Sequence, residues 1–133
     1  MKSQKFQIRT NKRVQFVDIT HFVQQTVENS GIKSGICVVY TSHTTSGITI
    51  NENADRDVLR DLEFSLKRVC AKQTEYLHRE GNSDSHFSSS LFGCSQTLIV
   101  EDARLLLGTW QSVFFCEFDG SRTRTVIVKT IEG

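Results

Sequence analysis

A chain of 133 residues has the size of one domain, residues 1–133, and can bury a core without disulfide or metal staples. Sixteen Lys and Arg against fifteen Asp and Glu leave a formal charge of +1, which excludes the broad basic footprint of a nucleic-acid binder. No apolar run approaches the ~20 residues of a membrane helix and no apolar stretch follows Met1–Lys5 as in a signal peptide, so a cytoplasmic protein with no membrane partner is expected.

Lys5–Thr10 alternates polar and apolar residues and reads as a half-buried strand. Asn11-Lys12 makes a turn, and Val14–Val17 resumes a strand. Asp18 or Thr20 caps a short helix through Ser30, with Phe22, Val23 and Val27 on one face and Gly31 as its stop. Ile36–Tyr40 is apolar on both faces, as a central strand would be. In the strand Gly47–Asn51, Ile48 and Ile50 face a core, while Thr49 and Asn51 share the other side, which His43 or Thr45 joins if the chain stays extended.

Asn53 or Asp55 caps a second helix with a stripe of Val58, Leu59, Leu62, Leu66 and Val69 and a wet face of Arg56, Arg60, Glu63 and Lys67. Gly81–Ser90 is rich in Ser, Asn, Asp and Gly and reads as an irregular loop, turning helical only near Ser88–Phe92. Leu98–Val100, Leu105–Leu107, Ser112–Phe118 and Thr125–Ile131 read as strands joined by short turns at Glu101–Arg104 and Asp119–Arg122. Alternation puts Trp110, Ser112, Phe114, Cys116 and Phe118 on one face and Val113 and Phe115 on the other, so both faces want cover, from helices or another subunit. Runs of strands with two main helices predict an α+β fold with a large mixed, mostly antiparallel sheet.

Cys37, Cys70, Cys94 and Cys116 are widely spaced with no CxxC pair, which predicts reduced thiols in place of a zinc-thiolate site. His43, His78 and His86 supply three imidazoles, the number a catalytic zinc-type ion takes, with Asp84 as a further ligand, an orienting partner or a general base. The alternative is three polar loop residues in ordinary hydrogen bonds, since no tight spacing such as HExxH is present. A Ser-His-Asp triad around His43 lacks a GxSxG elbow, and His21 belongs to a helix surface or cap. Arg122 and Arg124 follow a glycine turn and suit phosphate or carboxylate, and Glu117 and Asp119 share one side of a strand.

Three motifs then stand out in order: His43 to Asp55 (HTTSGITINENAD), Tyr76 to His86 (YxHxEGNxDxH) and Leu107 to Arg122 (LGTWQxVFFxEFDGxR). Together they make the chain, from Phe6 to Ile131, resemble the YjbQ-like family, secondary thiamine-phosphate synthase. The resemblance implies a compact α+β homotrimer with a polar pocket near a subunit boundary. Its matching positions are His43, Thr45, Asn51, Glu52, His78, Asn82, Asp84, His86, Glu117, Asp119 and Arg122. Of these, His43, Asp84 and Glu52 are the catalytic candidates. Thr45, Asn51, Asn82, Glu117, Asp119 and Arg122 are the substrate-binding candidates, and His43, His78 and His86 the metal candidates.

The implied reaction displaces pyrophosphate from a pyrimidine methyl diphosphate by a thiazole phosphate. Pyrophosphate departure calls for Mg²⁺ or arginine at its oxygens, whereas imidazoles suit zinc and its neighbours. A metal-dependent hydrolase and a non-enzymatic trimer that binds a small anionic metabolite are the alternatives. Arg56 and Ser121 stand where family members often carry proline, in keeping with a chain that has none; this bears on turn rigidity and not on chemistry.

Overall fold

The computed structural model describes residues 3–133. Its elements run β1 (Gln4–Arg9), β2 (Gln15–Asp18), α1 (Thr20–Ser30), β3 (Gly35–Tyr40), β4 (Ser46–Glu52), α2 (Arg56–Val69), α3 (Ser83–Phe92), β5 (Ser95–Glu101), β6 (Arg104–Leu105), β7 (Gln111–Glu117) and β8 (Thr123–Glu132). The fold is α+β. Every strand pairing among the described residues is antiparallel. The strands divide between a five-stranded sheet, β1-β8-β3-β5-β6, and a three-stranded sheet, β2-β7-β4.

The main core lies between the two sheets and α1. Cys37, Val39, Leu98, Val100, Val126 and Val128 meet Val23 and Val27 of α1 and Ile48, Val113 and Phe115 of the small sheet. On that sheet's other face, Phe114, Cys116 and Phe118 pack against Leu66 and Cys70, with Leu59 and Phe92 beside them. Strand β7 is therefore apolar at both parities because each face meets a separate cluster, and each Phe or Val sealed there contributes about 1.5–3 kcal/mol. Burial also fixes the chemistry of Cys37 and Cys116, whereas Cys94 is exposed. All four cysteines are unpaired, and burial pushes the Cys37 thiol up to about 11 and raises Cys116 further still.

Local signals explain the first two helices. The N-cap of α1 is Ile19, with no side-chain cap, in place of the expected Asp18 or Thr20; Asp18 accepts from the Thr20 backbone N–H at 2.9 Å, and Gly31 ends α1 in the left-handed region at φ 76°. Asp55 is the cap of α2, accepting from the Asp57 backbone N–H at 2.9 Å. Only Leu66 of the expected α2 stripe is fully buried; Val58, Leu59 and Leu62 are half-buried and Val69 is exposed.

Several expectations need correction. Phe22, placed with Val23 and Val27 on one face of α1, is exposed, and the strand expected over Leu105–Leu107 is β6 at Arg104–Leu105, with Leu106 exposed. Trp110 lies outside β7 and is 62 % exposed, so it is not a core residue. The loop expected over Gly81–Ser90 is helical from Ser83. Its buried residues are Asp84, Ser85 and Ser88, so hydrophobic periodicity carries no trace of it.

Helix α3 docks end-on against β4. Ser89 Oγ donates to the Ser46 carbonyl at 2.6 Å, and the Ile48 backbone N–H donates to the Gly93 carbonyl at 3.1 Å. A Cβ at Gly47 would stand 3.0 Å from both the Gly93 carbonyl and the Phe92 Cβ, so a side chain here would force α3 and β4 to shift apart by a few tenths of an ångström.

Candidate functional site

Between β3 and β4 the chain makes a polar loop, held by Thr41 Oγ1 against Ser46 Oγ at 2.8 Å and by the Thr41 backbone N–H on the Cys94 carbonyl at 2.9 Å. The loop presents His43 to β8, where the Thr125 backbone N–H donates to His43 Nε2 at 3.0 Å. An imidazole that accepts at Nε2 is neutral and carries its proton on Nδ1. Burial lowers the His43 pKa, the Arg124 and Arg122 charges lower it further, and Glu117 opposes them. Nδ1 meets no partner among the described residues and is not a buried orphan, so it reaches solvent.

His43 lines a cavity of about 630 Å³ together with Ser42, Thr44, His86, Ser89 and Cys94. His86 sits edge-on to His78, with ring centroids 5.3 Å apart. His78 Nε2 lies 4.0 Å from Glu80.

Beneath this cavity is a sealed charge network. Glu117 at the end of β7 is 0 % exposed and Arg124 of β8 4 %. Arg124 Nε donates to Glu117 Oε1 at 2.9 Å, Nη2 bonds Glu117 Oε2, and Nη2 also donates to Thr45 Oγ1 at 2.9 Å. Thr10 Oγ1 donates to Glu117 Oε1 at 2.7 Å, and the Asp119 backbone N–H donates to Oε2 at 3.1 Å. Every lone-pair direction of the carboxylate is thus engaged, as a buried charge requires.

A second tier is partly open. Asn82, at the start of α3, donates from Nδ2 to Asp119 Oδ2 at 2.9 Å, and Arg122 Nη2 donates to the same oxygen at 3.1 Å. Arg13 forks onto Asp84, Nη1 to Oδ2 at 2.9 Å and Nη2 to Oδ1 at 3.2 Å, and reaches Ser85 Oγ at 3.1 Å. Burial would raise the Asp84 carboxyl, but the Arg13 bond and charge outweigh it and hold the pKa below the ordinary range. Asp119 behaves likewise: burial raises it, while Asn82, Arg122 and Arg13 bring it below that range. The Asp84 bond in turn raises the Arg13 pKa against burial. Asn82 Oδ1 is buried with no donor among the described residues.

Of the residues singled out from the sequence, His43 and His86 share the cavity, His78 flanks His86, Thr45 and Glu117 meet through Arg124, and Asn82, Asp119 and Arg122 meet one another. Asp84 is tied to Arg13. Asn51 and Glu52 stand apart, at the far end of β4 opposite Ser112 and Gln111; six residues of strand separate Glu52 from Ser46, about 20 Å. Among the described residues the three imidazoles do not gather into one ligand group. Among the described residues no group of three or more His, Cys, Asp or Glu side chains can hold an ion, and His43 Nε2 is already engaged by Thr125.

Arg13, Thr10 and Ser85 have structural roles that the sequence did not point to, and Arg124 directs its affinity for carboxylate to buried Glu117. Arg124 had a usable signal: it shares parity with Val126 and Val128, the inward side of β8. Nothing in the sequence marks Arg13. Among the described residues, no helix is long and apolar enough to cross a membrane.

A family model described as UPF0047 protein YjbQ-like matches residues 4–133. The UPF0047 protein MJ1081 of Methanocaldococcus jannaschii is 53 % identical over 127 residues, spanning 96 % of this chain and 92 % of its own length. UPF0047 protein YugU of Bacillus subtilis is 50 % identical over 124 residues, spanning 92 % and 94 %. The crystal structure of a conserved YjbQ/UPF0047 family protein from Clostridium acetobutylicum matches with a TM-score of 0.94 at 49 % identity, covering 96 % of this chain and 99 % of that one. A YbjQ-like protein of unknown function from Sulfolobus solfataricus matches with the same TM-score of 0.94 at 30 % identity, covering 99 % and 97 %.

Proposed function

The chain belongs to the UPF0047 protein YjbQ-like family, and we propose that it binds a small phosphorylated metabolite in the His43–His86 cavity and acts there as a transferase of the secondary thiamine-phosphate synthase kind. The observation that carries this reading is the state of His43. A neutral imidazole with its proton on an open Nδ1, beside the hydroxyls of Ser42, Thr44 and Ser89 and in the field of Arg124 and Arg122, donates to anionic oxygen. In the proposed reaction a thiazole nitrogen bonds to the pyrimidine methylene carbon as the bond from that carbon to the diphosphate oxygen breaks. The electron pair leaves with pyrophosphate, whose charge His43 Nδ1–H and Arg122 meet.

We extend the reading to a cytoplasmic homotrimer. Support for assembly comes from the outer face of the large sheet, where Ile131, Ile36 and Ile99 stand in register across three strands and are all exposed. A neighbouring subunit would also give the Asn51–Glu52 end of β4 a cavity to serve. Four unpaired cysteines fit a reducing compartment.

The neighbouring rings of His78 and His86 favour a second reading, a metal-dependent hydrolase, which needs ligands beyond these two imidazoles. Asp84 and Asp119 do not serve a hard cation readily, because each is already paired with a guanidinium. Metal analysis of purified protein separates the readings: zinc-group metal near one per chain supports the hydrolase. The direct test is complementation of a thiamine-phosphate-deficient bacterium, with growth expected from wild type and lost with His43→Gln and His86→Ala. Growth that survives both substitutions disconnects the cavity from the activity.

A further inference from the structure

Helix α3 has two working sides. His86, Ser89 and Ser90 face the imidazole cavity, whereas Asp84, Ser85 and Ser88 face a separate cleft of about 660 Å³ between α2, α3 and the turn joining β1 to β2. We infer that this second cleft is a binding site for a small organic phosphate with a flat apolar body.

Three observations support this. The floor is apolar and sealed from solvent, made by Leu66, Cys70 and Phe118, each under a tenth exposed; such a floor accepts a ring and not a bare ion. The rim is basic. Lys12, Lys67 and Lys72 line the opening, and none of them pairs with a carboxylate among the described residues. The acids of the same cleft do not cancel this charge. Asp84 is occupied by the Arg13 fork, which leaves Glu63 against three free ammonium groups. The Lys72 charge already helps hold the Asp84 pKa down, so its field reaches the inner wall. The volume falls within the roughly 300–1,000 Å³ of small-molecule sites.

The site is independent of the His43–His86 reading, because its lining shares no residue with that cavity. The test is titration of the ¹⁵N-labelled full chain with phenyl phosphate, benzyl alcohol and inorganic phosphate. Phenyl phosphate at millimolar concentration is expected to move the amides of Cys70, Ala71 and Ser88 saturably. Benzyl alcohol and inorganic phosphate should each bind about tenfold more weakly, and the exposed-site double variant Lys67→Gln/Lys72→Gln should weaken phenyl phosphate by about tenfold. Shifts centred on Thr44 and Cys94, unmoved cleft amides, or unchanged affinity in the double variant would each overturn the assignment.

Discussion

Two polar regions meet at the loop between β3 and β4, where Thr45 belongs to one and His43 to the other, and they behave in opposite ways. Glu117, Arg124, Thr10 and Thr45 form a closed set in which each charge meets its complement and solvent is excluded. His43 and His86 line an open cavity where one ring nitrogen is fixed by the backbone and the other is left free. The sealed set locks β7 to β8 and carries the loop of His43 through the Arg124–Thr45 bond. The contrast separates residues that hold a site from residues that meet a ligand, although the three motifs mix both kinds.

Substitutions sharpen that contrast in order of size. Glu117→Ala leaves Arg124 charged, buried and unpaired, and should cost about 3–5 kcal/mol in urea unfolding. Replacing both with apolar residues of similar volume (Glu117→Leu with Arg124→Met) should recover most of that loss; failure to recover would show that the network does more than neutralise itself. Asp84→Asn breaks the Arg13 fork, and because Arg13 is 41 % exposed at its side chain the loss should be nearer about 1 kcal/mol.

Acid offers a parallel test of the second tier. Asp84 and Asp119 have folded pKa values below their unfolded ones. Their stabilisation is complete above the unfolded value of about 3.9 and is lost as pH falls through the folded values. The urea midpoint should therefore drop below about pH 4, and the Asp84→Asn/Asp119→Asn pair should flatten that drop.

The open cavity titrates in a different window. The His43 pKa is lowered in the folded chain, so the neutral ring contributes stability above about pH 6.5 and loses it as pH falls toward the folded value. His43→Gln should remove this slope, read from unfolding midpoints between pH 7 and 5. The smallest effect belongs to His86→Ala, which should shift stability by no more than about 0.5 kcal/mol while abolishing complementation. A large loss of stability would place His86 with the sealed set.

Much of this arrangement was legible in the chain. Alternation located β1, β4, β7 and β8, and the Gly31 and Asp55 signals marked the end of α1 and the start of α2. Helix α3 escaped because its inward residues are a carboxylate and two serines, which read as loop. Trp110 followed the parity of β7 but precedes the strand and faces solvent. At the site, the motif residues fell into local groups, and Arg124 lies one short turn beyond Glu117, whereas Arg13, which neutralises Asp84, comes from a distant segment. Pairings across 71 residues leave no local pattern to read.

Six consecutive residues, Val113–Phe118, are all out of contact with water, and their strand is flanked by β2 on one edge and β4 on the other. No fraying end or wet face gives deuterium a partial route to those amides. Their exchange rates should therefore track only the complete unfolding of the domain, which makes this one strand an internal gauge of global stability.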